Sequence, residues 1–204
     1  MLSRFLLISM FSSTLAIGCA SFPGKELPTY TYESMTVPAA KLTVSYDVKA
    51  LSLGRDNAGL AKGMQEEIEK VFKASPLFNQ VAPGVGTGEY QYSFTLRNEG
   101  NAGLAFASGF ISGLTLTIIP AYAKDEYILS VDVKKGNQAL KTYTYQDHLD
   151  SWIELFLIFL TPSHWPPTMA KELIDNMLMN FLHDFWRDLS SGVLVASQEP
   201  QSDP

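Results

Sequence analysis

Cysteine is nearly absent from this sequence of 204 residues, with Cys19 as its single copy. A lone cysteine cannot form a disulfide within the monomer, so packing alone must hold the fold, even in an oxidising compartment. Basic side chains are also scarce, with 15 Lys and Arg residues against 21 Asp and Glu residues and a formal net charge of −6. Nucleic acid binding needs a clustered basic surface that displaces phosphate counterions. The composition therefore argues against a nucleic acid partner.

Motifs for catalysis and metal binding are missing as well. The three histidines, His148, His164 and His183, show no metal-ligand spacing, so no metal site is predicted. The glycine-rich segment 83–88 imitates a phosphate loop, but a tyrosine-rich strand follows it instead of the helix that phosphate binding requires. Ser108 lies in an apolar run, without a nearby base and outside any nucleophile motif. The sequence predicts no enzymatic activity and no dissociable cofactor.

The first 18 residues have the composition of a signal peptide. Arg4 is their only charge, and an apolar run over residues 5–8 loosens towards Thr14 before a group of small residues. The segment is too short and too rich in serine to span a membrane. We therefore expect residues 1–18 to be an export signal.

The segment ends on Leu15, Ala16, Ile17, Gly18 and Cys19. The last four resemble the lipobox of bacterial lipoproteins, although the usual leucine stands one place further from the cysteine. The resemblance implies that Cys19 becomes the first residue of the mature chain and carries a diacylglycerol and an N-acyl chain such as palmitate.

The residue after the cysteine carries a second implication of the same resemblance. Ala20 occupies the place where lipoproteins kept in the inner membrane often have aspartate. The resemblance thus implies the outer membrane of a Gram-negative bacterium, with a lipid-anchored domain in the periplasm.

Proline and glycine then mark a linker. Residues 19–40 hold Pro23, Gly24, Pro28 and Pro38 among small polar residues, which predicts a flexible tether. A pair of tyrosines at positions 30 and 32 leaves open that part of it packs on the domain. We expect a single domain over residues 41–192 and a frayed tail over residues 193–204.

Hydrophobic periodicity predicts the secondary structure of that domain. Apolar residues alternate over residues 41–49 and 90–96, which is typical of half-buried strands, and residues 127–133 and 139–145 form a predicted hairpin. Spacings of three and four predict one helix over residues 60–72 and another from an N-cap at Thr168 to Gly192. The predicted stripe of the second helix is Leu173, Ile174, Met177, Leu178, Phe181, Leu182, Phe185 and Leu189.

This order of elements predicts an α+β fold, a mostly antiparallel sheet with two amphipathic helices on one face. From about Lys41 to Leu189 it resembles the small α+β domain of envelope lipoproteins of the curli-secretion channel family. The resemblance rests on element order and carries no functional residues over.

Two nearly uncharged apolar blocks, residues 103–122 and 152–160, flank the predicted hairpin. Bulky residues of the first block fall mostly on even positions, which favours a loop or short helix followed by a strand from Leu114 to Ile119. A hairpin begins and ends at the same sheet edge, so both blocks should emerge together, either as core or as an exposed surface. The candidate docking residues are Phe106, Phe110, Ile111, Trp152, Phe156 and Phe159.

These features predict a non-catalytic outer-membrane lipoprotein, an accessory or assembly component of the cell envelope. Its partners would be the membrane through the lipid anchor, and an envelope protein or a second copy of the chain. The alternative is a periplasmic carrier of a lipid or small apolar ligand, with the two blocks as pocket walls. A closed cavity lined by the phenylalanines favours the carrier, and an exposed surface favours docking. A cleft that gathers Asp147, His148 and Asp150 with a serine would indicate an enzyme instead.

Overall fold

The computed structural model describes residues 18–194 except residues 85, 87 and 116–118. The predicted export signal up to residue 17 and the predicted tail from residue 195 lie outside the described residues. The strands are β1 (Gly18–Pro23), β2 (Leu42–Ser52), β3 (Arg55–Asp56), β4 (Phe78–Pro83), β5 (Tyr90–Gly100), β6 (Ala121–Lys135) and β7 (Gln138–Glu154). The helices are α1 (Ala58–Ala74), α2 (Ala102–Leu114) and α3 (Pro166–Ser190), and 3₁₀ helices cover Tyr32–Ser34 and Leu155–Phe159.

Hydrogen bonds join the strands in the order β1-β7-β6-β5-β2-β3, and β4 also pairs with β2. The pairs β1–β7 and β2–β3 are antiparallel, whereas β2 runs parallel to both β4 and β5. The parallel pairs arise because α1 returns the chain to the end of the sheet at which β2 began. The α+β fold with a mostly antiparallel sheet is confirmed, and the parallel pairs are an addition to it.

The chain divides into two compact units. The large unit consists of Lys25–Glu99, Glu126–Asp147 and residues 172–194, and the small unit consists of residues 18–24, Gly100–Asp125 and His148–Lys171. Strands β6 and β7 contribute residues to both, because each is longer than the hairpin predicted from residues 127–145. The single domain expected over residues 41–192 stays a prediction.

In the large unit, α1 and α3 pack on the same face of the sheet. The Phe72 ring of α1 lies 5.8 Å from the Phe94 ring of β5, and the Phe181 ring of α3 lies 5.8 Å from the same ring. Burying a phenylalanine side chain stabilises a fold by about 1.5–3 kcal/mol. The predicted placement of two helices on one face is confirmed. Of the predicted α3 stripe, the buried members are Leu173, Ile174, Met177, Leu178, Phe181, Leu182 and Phe185.

The segment after β1 packs on these two helices. The Tyr30 ring stacks on the His183 ring at 3.7 Å, and the Tyr32 hydroxyl donates a hydrogen bond of 2.9 Å to the carbonyl of Val71. The Asn180 amide donates a bond of 2.8 Å to the carbonyl of Pro28. Residues 28–32 are therefore attached to the large unit, where the sequence predicts a flexible tether.

The helix boundaries follow standard capping chemistry, and the predicted start of α3 needs one correction. The side chain of Asn57 accepts a bond of 2.9 Å from the N–H of Leu60 and so caps α1. Helix α3 begins at Pro166, so Thr168 lies inside the helix and is not its N-cap. The earlier start is favourable because proline fits the first helical position, where its missing N–H costs nothing. Gly192, with a φ of 74°, follows the end of α3 as predicted.

Candidate functional site: the small unit and its exposed apolar side chains

Cys19 lies in β1, an edge strand of the sheet. In the antiparallel pairing of β1 with β7, Cys19 stands opposite Ile153, and Ala20 stands opposite Trp152. Directly opposed residues of an antiparallel pair project to the same face, so Cys19 shares its face with Ile153. This strand was not predicted, and the predicted lipidation position is part of the folded small unit.

The other edge of β1 is bonded to the loop after the second 3₁₀ helix. The N–H of Cys19 donates a bond of 3.1 Å to the hydroxyl of Thr161, and the N–H of Ser21 donates one of 2.9 Å to the carbonyl of His164. The hydroxyls of Ser21 and Ser151 add a bond of 2.7 Å between β1 and β7. Residues of β1 are thus held from both sides.

The thiol of Cys19 has no activating environment. Burial raises its pKa above the usual value, which favours the neutral thiol. Catalytic and metal-binding cysteines act as thiolates and are associated with a lowered pKa. Among the described residues, the contacts of Cys19 are those that hold its backbone in place.

Helix α2 has its apolar side chains on the outside. Phe106, Phe110 and Leu114 follow one another at intervals of four and expose 78%, 61% and 70% of their surfaces. Ser108 and Ser112 project from the opposite side, and Ser112 is buried. A helix on the surface of a soluble protein normally has the reverse orientation, with its apolar stripe turned towards the core. The stripe of α2 is therefore left exposed on the small unit.

The end of the first block differs from its prediction. Leu114 is the last residue of α2, and Ile119 lies in a bend, so neither belongs to the predicted strand. Residues 116–118 lie outside the described part of the chain. The short helix that the prediction allowed is present, and the strand was wrong at both of its end residues. Phe106, Phe110 and Leu114 are spaced by four, which is also two steps of two, so they satisfy both strand and helix periodicity.

Ser108 attaches α2 to the start of β6. Its hydroxyl donates a bond of 2.6 Å to the carbonyl of Tyr122 and accepts one of 3.2 Å from the N–H of the same residue. These bonds give the Ser108 hydroxyl a structural role.

Tyr122 in turn joins β6 to β7. Its hydroxyl donates a bond of 2.6 Å to Asp150, and its ring lies 4.7 Å from the Trp152 ring. The bond to the Asp150 carboxylate raises the pKa of the Tyr122 hydroxyl to about 12, because removing the phenolic proton would place two negative charges side by side. Tyr122 therefore stays a neutral donor over the physiological range and fixes the partly exposed Trp152.

The second block supplies the most exposed phenylalanines. Phe156 and Phe159 lie in the 3₁₀ helix and expose 70% and 83% of their surfaces. Three further side chains expose 39–49% of their surfaces. They are Trp152 and Ile153, near the end of β7, and Trp165, just before α3.

Ile119 and Leu160 of the small unit are also exposed, at 47% and 43%. We group the α2 stripe with the two phenylalanines, the two tryptophans and Ile153. We call this set the apolar surface; its members are Phe106, Phe110, Ile111, Leu114, Trp152, Ile153, Phe156, Phe159 and Trp165.

The structure places all seven predicted site residues in the small unit. Cys19 is in β1, and the six docking candidates are in α2, β7 and the 3₁₀ helix. Sequence reasoning missed Leu114 and Ile153 as exposed members, and it missed Thr161 and Tyr122 as the residues that hold Cys19 and Trp152. A periodic pattern reports which residues share a face, whereas hydrogen bonds between residues far apart in sequence leave no such signal.

The exposure of the phenylalanines bears on the ligand-carrier alternative. With 61–83% of their surfaces open, Phe106, Phe110, Phe156 and Phe159 do not line a closed cavity. Two cavities of ≈ 350 Å³ and ≈ 320 Å³ lie in the large unit, and neither is lined by residues of the two blocks. In the part of the chain that the structure describes, no helix has both the length and the apolar character needed to span a membrane.

The histidine that the enzyme hypothesis invokes has structural neighbours in the small unit. His148 Nε2 lies 3.4 Å from an Asp150 oxygen, and Asp150 is also bound by Tyr122. Gly24 packs against the His148 ring so closely that a Cβ at this position would come within 2.2 Å of it. The His148 ring is therefore covered on the side of β1.

No family model and no curated protein match this sequence. Solved structures show similarities to it at low identity. A protein of family DUF330 from Xanthomonas campestris is 7% identical, with a TM-score of 0.44 over 83% of this chain and 97% of that one. PelC of Paraburkholderia phytofirmans, solved as a dodecamer, is 8% identical, with a TM-score of 0.37 over 80% and 95%. A minor lipoprotein from Acinetobacter baumannii is 11% identical, with a TM-score of 0.40 over 76% and 96%.

Proposed function

We propose that this protein is a non-catalytic lipoprotein of the bacterial outer membrane that acts as an accessory or assembly component of the cell envelope. Cys19 carries its lipid, and the apolar surface of the small unit is its docking surface. One observation supports this most directly: Cys19 and the exposed apolar side chains belong to the same compact unit.

The energetics of the apolar surface indicate that it is covered when the protein works. Leaving one phenylalanine in water forgoes about 1.5–3 kcal/mol that burial would supply. Four phenylalanines of the small unit are mostly exposed, together with Leu114. Monomeric soluble proteins seldom keep large contiguous apolar patches open, and such patches mark sites for proteins, membranes or ligands. The open position of the side chains favours a docking surface over the walls of a carrier pocket.

The absence of a catalytic role is part of the proposal. The Ser108 hydroxyl is bonded to the Tyr122 backbone, and the Cys19 sulfur carries the lipid in this proposal. A nucleophile needs an adjacent base or a lowered pKa, and Ser108 has no such support among the described contacts. The residues that could carry chemistry are used to hold the small unit together.

Envelope fractionation and mass spectrometry of the mature N-terminus test the anchor. We expect an N-terminal Cys19 with a diacylglycerol and an N-acyl chain in the outer-membrane fraction, and a Cys19→Ala variant that is released from it. An unmodified Cys19, or a Cys19→Ala protein that stays firmly in the outer membrane, would rule out the anchor. Crosslinking in intact envelopes, followed by affinity purification, tests the accessory role by identifying what lies against the protein.

A further inference from the structure

We infer that the apolar surface of the small unit inserts into the same bilayer leaflet that holds the acyl chains of Cys19. This inference rests on the proposed lipidation and adds the partner of the docking surface. The small unit would then lie directly on the membrane, with α2 and the 3₁₀ helix among the lipid headgroups and the upper acyl chains.

The first argument is the absence of a spacer between the lipid and the fold. A disordered linker over residues 19–40 would separate its ends by about 25 Å on average. Cys19 instead lies in a paired strand, directly opposite Ile153, and its N–H is bonded to Thr161. Acyl chains attached to this cysteine leave the protein on the face that carries Ile153. The small unit is therefore brought to the surface of the leaflet by the anchor itself.

The second argument is the composition of the apolar surface. Phenylalanine and leucine provide its most exposed members, with 61–83% of their surfaces open at Phe106, Phe110, Leu114, Phe156 and Phe159. Trp152 and Trp165 are less exposed, at 39% and 49%. Tryptophan is enriched at the membrane–water boundary, where its ring lies at the level of the headgroups. The combination fits the boundary region of a bilayer.

The third argument separates a bilayer from a protein partner. Protein interfaces form roughly one hydrogen bond per 100–200 Å². The outer face of α2 offers apolar side chains, while the hydroxyl of Ser108 is bonded to the Tyr122 backbone and Ser112 is buried. No charged side chain occurs between residues 101 and 123. A surface with so few hydrogen-bonding groups suits acyl chains better than another polypeptide.

The charges of the small unit predict how docking responds to salt. Its described residues contain two basic side chains, Lys124 and Lys171, and three acidic ones, Asp125, Asp150 and Glu154, for a net charge of 2 − 3 = −1. Attraction to anionic lipids needs clusters of lysine and arginine. Insertion should therefore depend on apolar contact and change little with ionic strength.

The test uses the lipidated full-length protein in vesicles of phosphatidylethanolamine and phosphatidylglycerol. Trp152 projects to the sheet face opposite Cys19, so Trp165 is the better reporter. Replacing Trp152 and Trp186 by phenylalanine leaves Trp165 as the only tryptophan. We expect its emission to be shifted to the blue and quenched by lipids brominated on their acyl chains. The same protein with Phe156→Asp and Phe159→Asp should stay anchored through Cys19 but lose most of this quenching. Each lost phenylalanine contact should weaken insertion by roughly ten-fold or more.

Val37→Asp is the matched control, because Val37 is an apolar residue of the large unit with 59% of its surface exposed. This variant should leave the quenching unchanged, and all variants should melt at the parent temperature. A lipidated parent whose Trp165 is not quenched would overturn the inference and leave the proposed lipoprotein function intact. A blue-shifted but unquenched Trp165 would overturn it in favour of a second copy or an envelope protein. A Cys19 without acyl chains would overturn both proposals.

Discussion

Ser108 and Tyr122 exchange two hydrogen bonds where α2 meets β6. The Ser108 hydroxyl donates a hydrogen bond of 2.6 Å to the Tyr122 carbonyl, and the Tyr122 N–H donates one of 3.2 Å to the same hydroxyl. This side of α2 is thereby fixed to the start of the strand. Phe106 and Phe110, on the opposite side, are left facing outward.

Ser108→Val should loosen α2, because valine is similar in volume and cannot form either hydrogen bond. A lost hydrogen bond with an unpaired buried partner costs about 1–3 kcal/mol. We expect hydrogen exchange to accelerate in Ala102–Leu114 and at the N–H of Tyr122, with α1 and α3 unaffected. Ser190→Ala is the control, because Ser190 is exposed and bonded only to the carbonyl of its own helix at Arg187 among the described contacts. Unchanged exchange in α2 would show that another contact orients it.

Phe110→Asp and Phe156→Asp should spare the fold and abolish vesicle binding. Both side chains are mostly exposed, and surface substitutions usually change the free energy of unfolding by less than about 0.5 kcal/mol. The measurement compares melting temperature and vesicle binding in a non-lipidated Cys19→Ser protein. Phe94→Asp is the contrasting control, since it places an unpaired charge in the core and should unfold the large unit. Collapse of both surface variants would instead make the two blocks part of the core.

Leu178→Ala and Phe181→Ala should each destabilise the protein by about 2–5 kcal/mol, through lost burial and the cavity left behind. Both side chains are fully buried in the large unit. His183→Ala should cost less, about 0.5–1.5 kcal/mol, because it removes a stacking contact with Tyr30 at the surface of α3. Denaturant unfolding gives the three values. A histidine variant less stable than the other two would contradict the assignment of the α3 faces.

Asp175 should make the protein less stable as the pH rises. Burial raises the pKa of its carboxyl from 3.8 to about 6, and Glu67 adds to this while the Lys70 ammonium opposes it. Between about pH 4 and 6 the folded state therefore binds more protons than the unfolded state. The stability that this group contributes is present below pH 4 and is lost as the pH rises through 6.

Asp175→Asn should remove that dependence. Relative to the variant, the wild-type protein should lose on the order of 1 kcal/mol of unfolding free energy between pH 4 and pH 7, after allowance for partial exposure of the group. Urea unfolding at several pH values measures the difference. Asp56→Asn is the control, because the Asp56 side chain is 80% exposed. Parallel curves for wild type and Asp175→Asn would refute the assignment.

The elements that the sequence predicts best are those whose burial imposes a regular period. Strand β5 buries Tyr90, Tyr92, Phe94 and Leu96 on one face, and α3 buries a stripe at spacings of three and four. These patterns are local, so a short window contains the whole signal. The class of the fold follows from them.

Strand β1 shows why the rest was harder to predict. Gly18, Cys19, Ala20 and Ser21 are all small, so they give no alternation of large and polar side chains. The partner of the strand lies about 130 residues further along the chain, at Ser151–Glu154, where a local window does not reach. The seven site residues were predicted from the two apolar blocks and the motif at Cys19. The hydrogen bonds that bring them into one unit leave no signal in those segments.

On the proposed lipoprotein function, in which the chain is cut before Cys19, the pairing of β1 also sets the order of the maturation steps. The peptide bond before Cys19 lies inside the strand, where Gly18 stands opposite Glu154. A peptidase that cuts this bond has to bind the chain on both sides of it. A segment that is already paired in a sheet cannot enter the active-site cleft of the peptidase. Cleavage by the peptidase and folding of the small unit thus both require the segment around Cys19, and they cannot use it at the same time. A precursor that closes early would conceal its own maturation site, so correct assembly requires the cut to come first.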